Sequence, residues 1–243
     1  MNRIWTVAGR EFRGYFNSWL AYIFVVLFVS VSMVAFFYVG EFFGTGRADV
    51  SPFFRSLPLT LLFLVPGLTM RQWARENEMG SLEILMTLPA QTWELVTGKF
   101  LGTMGLVGVS LLFTIGIPIT AATLGELDWG PVIGGYAAGL LLAGAYVAIG
   151  LFVSSWFADQ FLALVGGAVV CGLFGLLSWP VVMDWAAGLP EFLRDSSRFL
   201  GFWSRFDAIQ RGVLDLRDIL FYLTVTILFL FLNVCRLRLR RLA

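Results

Sequence analysis

Few side chains in this 243-residue sequence are suited to catalysis or to holding a metal ion. The sequence contains no histidine, which excludes histidine-dependent metal sites, a Ser–His dyad and a histidine proton relay. Ser154 and Ser155 have no base beside them, and Asp159 stands alone. The two cysteines, Cys171 and Cys235, have no ligand partner nearby in the sequence. We therefore expect neither a catalytic site nor a metal site in this chain.

The sequence also lacks a nucleotide-binding P-loop. That loop follows the pattern G-x-x-x-x-G-K-[ST], in which the lysine and the hydroxyl group serve the phosphates and their magnesium ion. Here Gly98 and Lys99 are followed by Phe100, and no glycine lies at the required upstream position. We expect no ATP hydrolysis by this chain and no cofactor bound to it.

The densest internal cluster of charge is residues 71–99, with the sequence RQWARENEMGSLEILMTLPAQTWELVTGK. Uncharged apolar stretches flank it on both sides. Because charged groups are expensive inside a bilayer, a polar segment between two apolar stretches has to leave the lipid. This segment is therefore where the chain can contact a soluble partner.

The composition predicts an all-α integral membrane protein. Hydrophobic residues make up 58% of the chain, its mean hydropathy is +0.83, and soluble domains are only about 45–50% apolar. A helix needs roughly 20 apolar residues to cross a hydrocarbon core about 30 Å thick. We predict one transmembrane domain over residues 1–243 with about six spans. The predicted spans are residues 19–40, 56–70, 100–125, 129–158, 160–183 and 219–235.

Residues 1–17 are predicted to form an amphipathic helix that lies in the membrane interface and contacts lipid. Apolar residues recur there at helical spacing, namely Ile4, Ala8 and Phe12. The opposite face carries the arginines Arg3, Arg10 and Arg13.

Arginines near the chain ends predict the orientation, because positive residues beside spans are retained in the cytoplasm. The arginines of the amphipathic helix precede the first span. Arg236, Arg238, Arg240 and Arg241 follow the last one. Both termini are therefore predicted to be cytoplasmic, with an even number of crossings and residues 71–99 on the inner side. The arginines between positions 194 and 217 would then lie outside, which opposes this orientation.

Residues 184–215 are too long for a structureless loop. One helical face of this segment is apolar, with Phe199, Trp203, Phe206, Ile209 and Val213. We predict an outer re-entrant or interfacial segment. A solvated outer helix with a few buried aromatic residues is the alternative. Asp215 and Asp218 are predicted to cap the last span as a capping box, with Leu214 stapled to Ile219.

Small residues at helical spacing predict close helix packing within the protein. One set is Gly98, Gly102 and Gly105, and another is Gly135, Gly139 and Ala143. The polar residues in the interiors of the predicted spans are only Ser, Thr and Asn233. Ion coupling is therefore disfavoured, and we expect any energy to come from another subunit.

Residues 76–92 are predicted to contain a short helix outside the lipid. Gly80 and Ser81 can end one helix and cap another, Glu83 is favourable in a first turn, and Pro89 ends the element. Its apolar face would hold Leu82, Leu85, Met86 and Leu88. Such a helix could dock into a groove of a partner or, alternatively, pack under its own bundle. Thr92 and Glu94 are predicted to begin the next helix.

The same segment resembles the signature of ABC-2 type exporter permeases. The matching run is Glu76-x-x-x-Gly80-Ser81-x-Glu83-x-Leu85-x-Thr87-Leu88-Pro89, followed by Gly98-Lys99-Phe100. Ser81 stands where threonine is usual. The runs FNSWLAYIFVVLF and RGVLDLRDILFYLTVTILFLFLN look like those of the gliding-motility-type branch.

This resemblance implies a type V exporter-like permease in the bacterial inner membrane that moves a substrate across or out of the membrane. It implies two copies of an ABC ATPase, which hold ATP and Mg. It also implies a second permease copy, which is either identical or different, and allows a periplasmic or membrane auxiliary subunit. No nucleic-acid partner is expected. Spans two and five would line the path. The implied ATPase contacts are Glu76, Glu78, Gly80, Ser81, Leu82, Glu83, Leu85, Leu88 and Pro89.

Other functions remain open at this level. One is a membrane anchor that conveys ATPase-driven motion to a periplasmic partner in a motility or envelope complex. A large outer protein bound at residues 184–218 and the absence of a continuous cavity would identify it. Another is a permease of the type that serves nitrous-oxide reductase maturation. An intramembrane enzyme is the least favoured class, because no nucleophile and base are paired in the sequence.

Overall fold

A computed structural model describes residues 3–40, 49–80, 91–179, 182–183, 200–212 and 215–242. These residues are 87% helical and include no strand. The principal helices are α1 (Arg3–Phe16), α2 (Trp19–Val34, continued by a π-helical turn, Ala35–Val39), α3 (Ser51–Glu78), α4 (Thr92–Phe113), α5 (Gly116–Leu124), α6 (Trp129–Ser154), α7 (Gln160–Leu176), α8 (Phe202–Gln210) and α9 (Leu216–Leu242).

Five helical stretches are long and apolar enough to cross a membrane, which confirms the predicted class of all-α membrane protein. They are Trp19–Tyr38, Ser51–Glu78, Thr92–Leu124, Trp129–Ser154 and Leu216–Arg240. The remaining predicted span, 160–183, contains the shorter apolar helix α7, Gln160–Leu176. Its 17 residues extend about 26 Å, slightly less than a hydrocarbon core of about 30 Å.

Helix α3 is longer than the predicted span 56–70, because it runs for 28 residues from Ser51 to Glu78. Its charged end, from Arg71 onward, interrupts the apolar pattern but not the helix. Pro58 and Pro66 both lie inside it. Proline is tolerated in membrane helices where neighbouring groups compensate for its missing N–H. One turn beyond Pro66, the Thr69 hydroxyl donates to the backbone oxygens of Val65 and Pro66 at 3.2 and 3.3 Å.

The third predicted span, 100–125, is preceded by about two additional helical turns and is interrupted near its end. Helix α4 begins at Thr92, as predicted, and the Gln91 N–H donates to the Glu94 carboxylate at 2.8 Å. A turn at Thr114 and Ile115 separates α4 from α5. The Thr114 hydroxyl donates to the Leu111 carbonyl at 2.7 Å and lies 3.1 Å from the Tyr136 hydroxyl of α6.

Helix α6 is the centre of the bundle and packs against α3, α4, α7, α8 and α9. Its small residues let the other helices approach closely, as the sequence predicts. A Cβ atom added at Gly135 would lie 2.4 Å from the Phe54 ring, and one at Gly150 would lie 2.1 Å from the Thr69 hydroxyl oxygen. At the end of α6, the Ser154 hydroxyl donates to the Met70 carbonyl at 3.1 Å. Ser154 therefore joins α6 to the charged end of α3.

Helix α8 lies in the segment predicted as re-entrant or interfacial. It buries Phe202, Phe206 and Ile209 and packs mainly against α6, with further contacts to α3 and α7. The Phe202 ring also lies 5.5 Å from the Tyr222 ring of α9. Arg205, which the sequence pattern places away from this apolar face, is also buried, with its guanidinium 4.1 Å from the centre of the Phe221 ring. Phe199 and Val213 lie outside the described residues.

The cap of the last span differs from the predicted capping box. The Asp215 carboxylate accepts from the Arg217 N–H at 2.9 Å, so Asp215 caps α9 as predicted. The Asp218 carboxylate does not complete the box, because it accepts from Arg205 of α8 at 2.6 Å. Leu214, the predicted staple to Ile219, lies outside the described residues.

Candidate functional site

Helix α1 is seated directly on the beginning of α4, in a groove formed by three glycines. Cβ atoms added at these glycines would collide with side chains of α1. The distances would be 2.6 Å from Gly98 to Val7, 2.8 Å from Gly102 to Glu11 and 2.9 Å from Gly105 to Phe12. The first small-residue set therefore serves internal packing, as predicted, and brings α1 beside the polar residues of α4.

Lys99 lies in this contact with only 2% of its side chain exposed. Its ammonium group has four oxygen acceptors: Glu76 Oε1 at 2.8 Å, the Gln72 carbonyl at 3.0 Å, Gln72 Oε1 at 3.3 Å and Glu11 Oε1 at 3.4 Å. The Trp73 ring is centred 4.8 Å from the same nitrogen. An ammonium has three donors, so its hydrogen-bonding capacity is fully used.

A second set of hydrogen bonds supports these contacts from behind. The Gln72 amide donates to the Tyr15 hydroxyl and, at 3.2 Å, to the Thr103 hydroxyl. The Thr103 hydroxyl lies 3.0 Å from the Tyr15 hydroxyl and donates to the Lys99 carbonyl at 2.9 Å. Burial raises the pKa of the Tyr15 phenol to about 12. Tyr15 therefore keeps its proton at neutral pH and remains a hydrogen-bond donor.

We call these six residues the Lys99 cluster: Glu11 and Tyr15 of α1, Gln72 and Glu76 of α3, and Lys99 and Thr103 of α4. The Glu11 and Glu76 side chains are 19% and 21% exposed. Glu11 is also 3.5 Å from the Arg10 guanidinium. The buried positive charge is thus balanced, and the cluster ties three helices together through charge-assisted hydrogen bonds.

The cluster lies at the base of the segment predicted to contact an ATPase. Glu76 lies near the end of α3, which stops at Glu78, and Lys99 lies two turns into α4. The Glu76 and Lys99 side chains therefore hold together the two helices between which residues 79–91 run. Arg3 of α1 adds a contact of 3.8 Å to Glu94, at the start of α4.

The structure places only three of the predicted contact residues. Glu76 belongs to the Lys99 cluster. The Glu78 carboxylate accepts from the Gln160 amide at 2.8 Å, and Gly80 follows the helix end with a φ of +64°, a conformation that favours glycine. The remaining six lie outside the described residues: Ser81, Leu82, Glu83, Leu85, Leu88 and Pro89.

Sequence reasoning did not assign a role to most of the cluster. Lys99 was visible in the Gly98-Lys99-Phe100 run, and a lysine at the start of an apolar span needs an acceptor. Glu11 is the only acidic residue in α1, and this position was a signal that it pairs with a cation of another helix. No sequence signal indicated the pairing of Tyr15, Gln72 and Thr103, because that pairing depends on how three helices pack.

Within the described part of the chain, no group of three or more Cys, Asp or Glu residues is arranged to hold a metal ion. The contacts of Lys99 with α1 and α3 give the Lys99 cluster the character of a structural junction, in which one saturated ammonium group joins three helices.

Comparison with known protein families matches residues 67–234 to the ABC-2 family transporter protein. The match covers more than half of the chain and includes both Glu76 and Lys99. No curated protein matches the chain. ABC-2 family proteins are membrane components that associate with an ABC ATPase subunit. The chain therefore belongs to the ABC-2 transporter family, as a multi-pass membrane protein of the permease type.

Proposed function

We propose that this chain moves a substrate across or out of the membrane, driven by ATP hydrolysed in a separate ATPase subunit that docks on residues 76–92. ATP and Mg are held by the ATPase. The observation that carries the proposal is the Lys99 cluster, because it fixes the base of the docking segment to three helices of the permease. A loop anchored in this way can transmit a displacement.

The helices beside the docking segment are suited to carry that displacement. Helix α3 continues without a break for 28 residues, about 42 Å, and packs against α6 and α7. Helix α4 is capped at its start by Gln91 and Glu94. Because Lys99 joins Glu76 to Glu11, a push on the segment moves α1, α3 and α4 together. The junction resists hinging between them.

The substrate path is proposed to form between two permease copies, with α3 and α7 facing the partner copy. A groove of about 810 Å³ lies between these helices, and its lining is apolar. The lining includes Leu62 and Phe63 of α3 and Leu164, Ala168 and Leu173 of α7. This arrangement supports spans two and five as the path and passage of a substrate with an apolar portion. Two ATPase copies are proposed to accompany the two permease copies.

The proposed setting is the bacterial inner membrane with both termini in the cytoplasm. The arginine-rich ends of the chain support this orientation. Five long helical stretches together with α7 give the even number of crossings that it requires. In this orientation the Lys99 cluster lies at the cytoplasmic side, where an ATPase is found.

The gliding-motility-type branch rests on the two terminal runs alone, and the family match adds nothing to it. The alternative of a mechanical anchor without transport has no observation in its favour. A large outer protein that co-purifies through residues 184–218 would be required for it.

The test is to co-purify the chain with the ATPase encoded beside it and to measure ATP turnover. We expect Gly80→Trp and Glu83→Arg to abolish assembly or uncouple turnover while membrane insertion is unchanged. Gly116→Trp and Glu126→Arg are matched controls, since both residues are exposed and far from the docking segment along the chain. Normal assembly and turnover in both test variants would refute the coupling role.

A further inference from the structure

A polar pocket of about 330 Å³ lies between the end of α1, the start of α2 and the charged end of α3. Five charged residues line it, namely Glu11, Arg71, Arg75, Glu76 and Lys99. Leu20 of α2 and Leu68 of α3 form its apolar part. The pocket is therefore amphipathic, with charges at one end and aliphatic side chains at the other.

The charges of the pocket leave an excess of positive charge. Glu11 and Glu76 are neutralised by Lys99, and Glu11 also by Arg10. Arg71 and Arg75 are both exposed and lie one helical turn apart on the same face of α3. Arg71 donates its Nε to Gln160 at 3.1 Å. Among the residues that the structure describes, the Arg75 guanidinium makes no hydrogen bond or ion pair. Two guanidinium groups are thus available to an anion.

The pocket lies where the surface changes from polar to apolar. Ser18, which also lines it, caps α2 by accepting from the Leu20 N–H at 3.1 Å. The next residue, Trp19, is 84% exposed, and Tyr22 is 56% exposed. Trp and Tyr are enriched at the level of lipid headgroups. Beyond them α2 exposes Ile23 and Val26, so an anion in the pocket would have a hydrocarbon-facing surface beside it.

We propose that this pocket binds the phosphate headgroup of an anionic glycerophospholipid. Arg71 and Arg75 contact the phosphate oxygens, because guanidinium groups pair with phosphate through two parallel hydrogen bonds. The acyl chains follow Leu20 and the exposed apolar face of α2. In the orientation proposed above, this lipid belongs to the inner leaflet. The binding itself requires no ATPase and goes beyond the proposed function.

The test is a lipid titration of the chain purified in neutral detergent without the ATPase, followed by native mass spectrometry. We expect phosphatidylglycerol to bind more tightly than phosphatidylcholine. Each arginine beside an anionic lipid contributes roughly fivefold in affinity. Arg71→Gln should therefore weaken phosphatidylglycerol binding about fivefold, and the double variant with Arg75→Gln about thirtyfold. The control is Arg217→Gln with Arg238→Gln, which removes the same charge from exposed positions of α9 and should change binding less than twofold.

A second variant fills the pocket without changing its charge. Gly14 lines the pocket and has open space around its Cα, and leucine is a better helix former than glycine. Gly14→Leu should therefore keep the fold and lose phosphatidylglycerol binding. Equal binding of the two lipids, or unchanged binding in both Gly14→Leu and the double arginine variant, would overturn the proposal.

Inorganic phosphate separates a lipid site from a simple anion site. If the acyl chains contribute, millimolar phosphate should fail to displace phosphatidylglycerol. Displacement at equal concentration would show an anion site and overturn the assignment to lipid. Because no ATPase is present, a negative result here leaves ATPase docking intact. A failure of the turnover test likewise leaves lipid binding intact.

Discussion

Replacement of Lys99 by methionine is the sharpest test of the junction between α1, α3 and α4. Methionine keeps the length of the side chain and its helix propensity but removes the ammonium group. Glu11 and Glu76 would then lose their shared ammonium group, with Arg10 as the remaining ion-pair partner of Glu11. The Gln72 carbonyl and amide oxygens would lose their donor. We expect a large loss of stability, concentrated at this junction.

The magnitude follows from the burial of the three charges. Breaking a buried ion pair by removing one partner costs about 3–5 kcal/mol. The ammonium is 2% exposed, but its carboxylate partners are about one-fifth exposed, so water relieves part of their repulsion. The lower end, about 3 kcal/mol, is therefore expected. For a chain of this size such a change corresponds to a decrease in Tm of about 6–12 °C.

The assay is thermal unfolding of the purified chain in one detergent, compared among variants. Lys99→Met combined with Glu11→Gln and Glu76→Gln should recover most of the lost Tm, because the triple variant has no carboxylate that has lost the ammonium group. Arg238→Gln, which removes an exposed positive charge, should change Tm by less than about 2 °C. A Lys99→Met variant as stable as the native chain, or a triple variant as unstable as the single one, would refute this account of the cluster.

Three further predictions concern packing, helix α8 and pH. Gly150→Ala should lower the free energy of unfolding by about 1–3 kcal/mol through overpacking, whereas Gly172→Ala, where a Cβ meets open space, should not; equal Tm values would contradict the contact. Arg205→Met should destabilise the chain by about 3 kcal/mol because it leaves the mostly buried Asp218 unpaired, and adding Asp218→Asn should restore most of the loss in the same assay. The raised pKa of Tyr15, about 12 against about 10 in an unfolded chain, gives stability that is complete below pH 10 and lost as the pH rises toward 12, roughly 3 kcal/mol in all. Tyr15→Phe should remove that part of the alkaline decline in urea unfolding curves, and an unchanged pH profile would show that the phenol is not the group responsible.

The membrane spans could be predicted from sequence because hydropathy and length determine them locally. The continuation of α3 through its charged end could not be predicted in this way. Arg71 and Glu78 indicate where the chain leaves the lipid, but they do not indicate that the helix continues beyond that point. Helix starts were recovered where the capping residues are neighbours in sequence, as at Glu94 and Asp215. The role of Asp218 was missed because its partner, Arg205, belongs to a different helix.

The candidate site shows the same difference between contacts that are local in sequence and contacts between distant helices. Glu76 and Gly80 were assigned to the ATPase-contact segment because they belong to a motif that is contiguous in sequence, and that contact stays a prediction. The Lys99 cluster was not recognised, since Lys99 pairs with residues 23 and 88 positions away. Such pairs arise only when the glycine groove of α4 admits α1, which is a property of packing and cannot be obtained from local spacing.

The packing of α1 in the glycine groove of α4 also determines the order in which the helices can assemble during synthesis. Lys99 follows Glu11 by 88 residues, so a ribosome has released α1 long before Gly98 and Gly102 exist to receive it. Until then the amphipathic helix can lie on the membrane surface. Helix α1 therefore completes the Lys99 cluster late, after the first two spans have been inserted and synthesis of the third has begun.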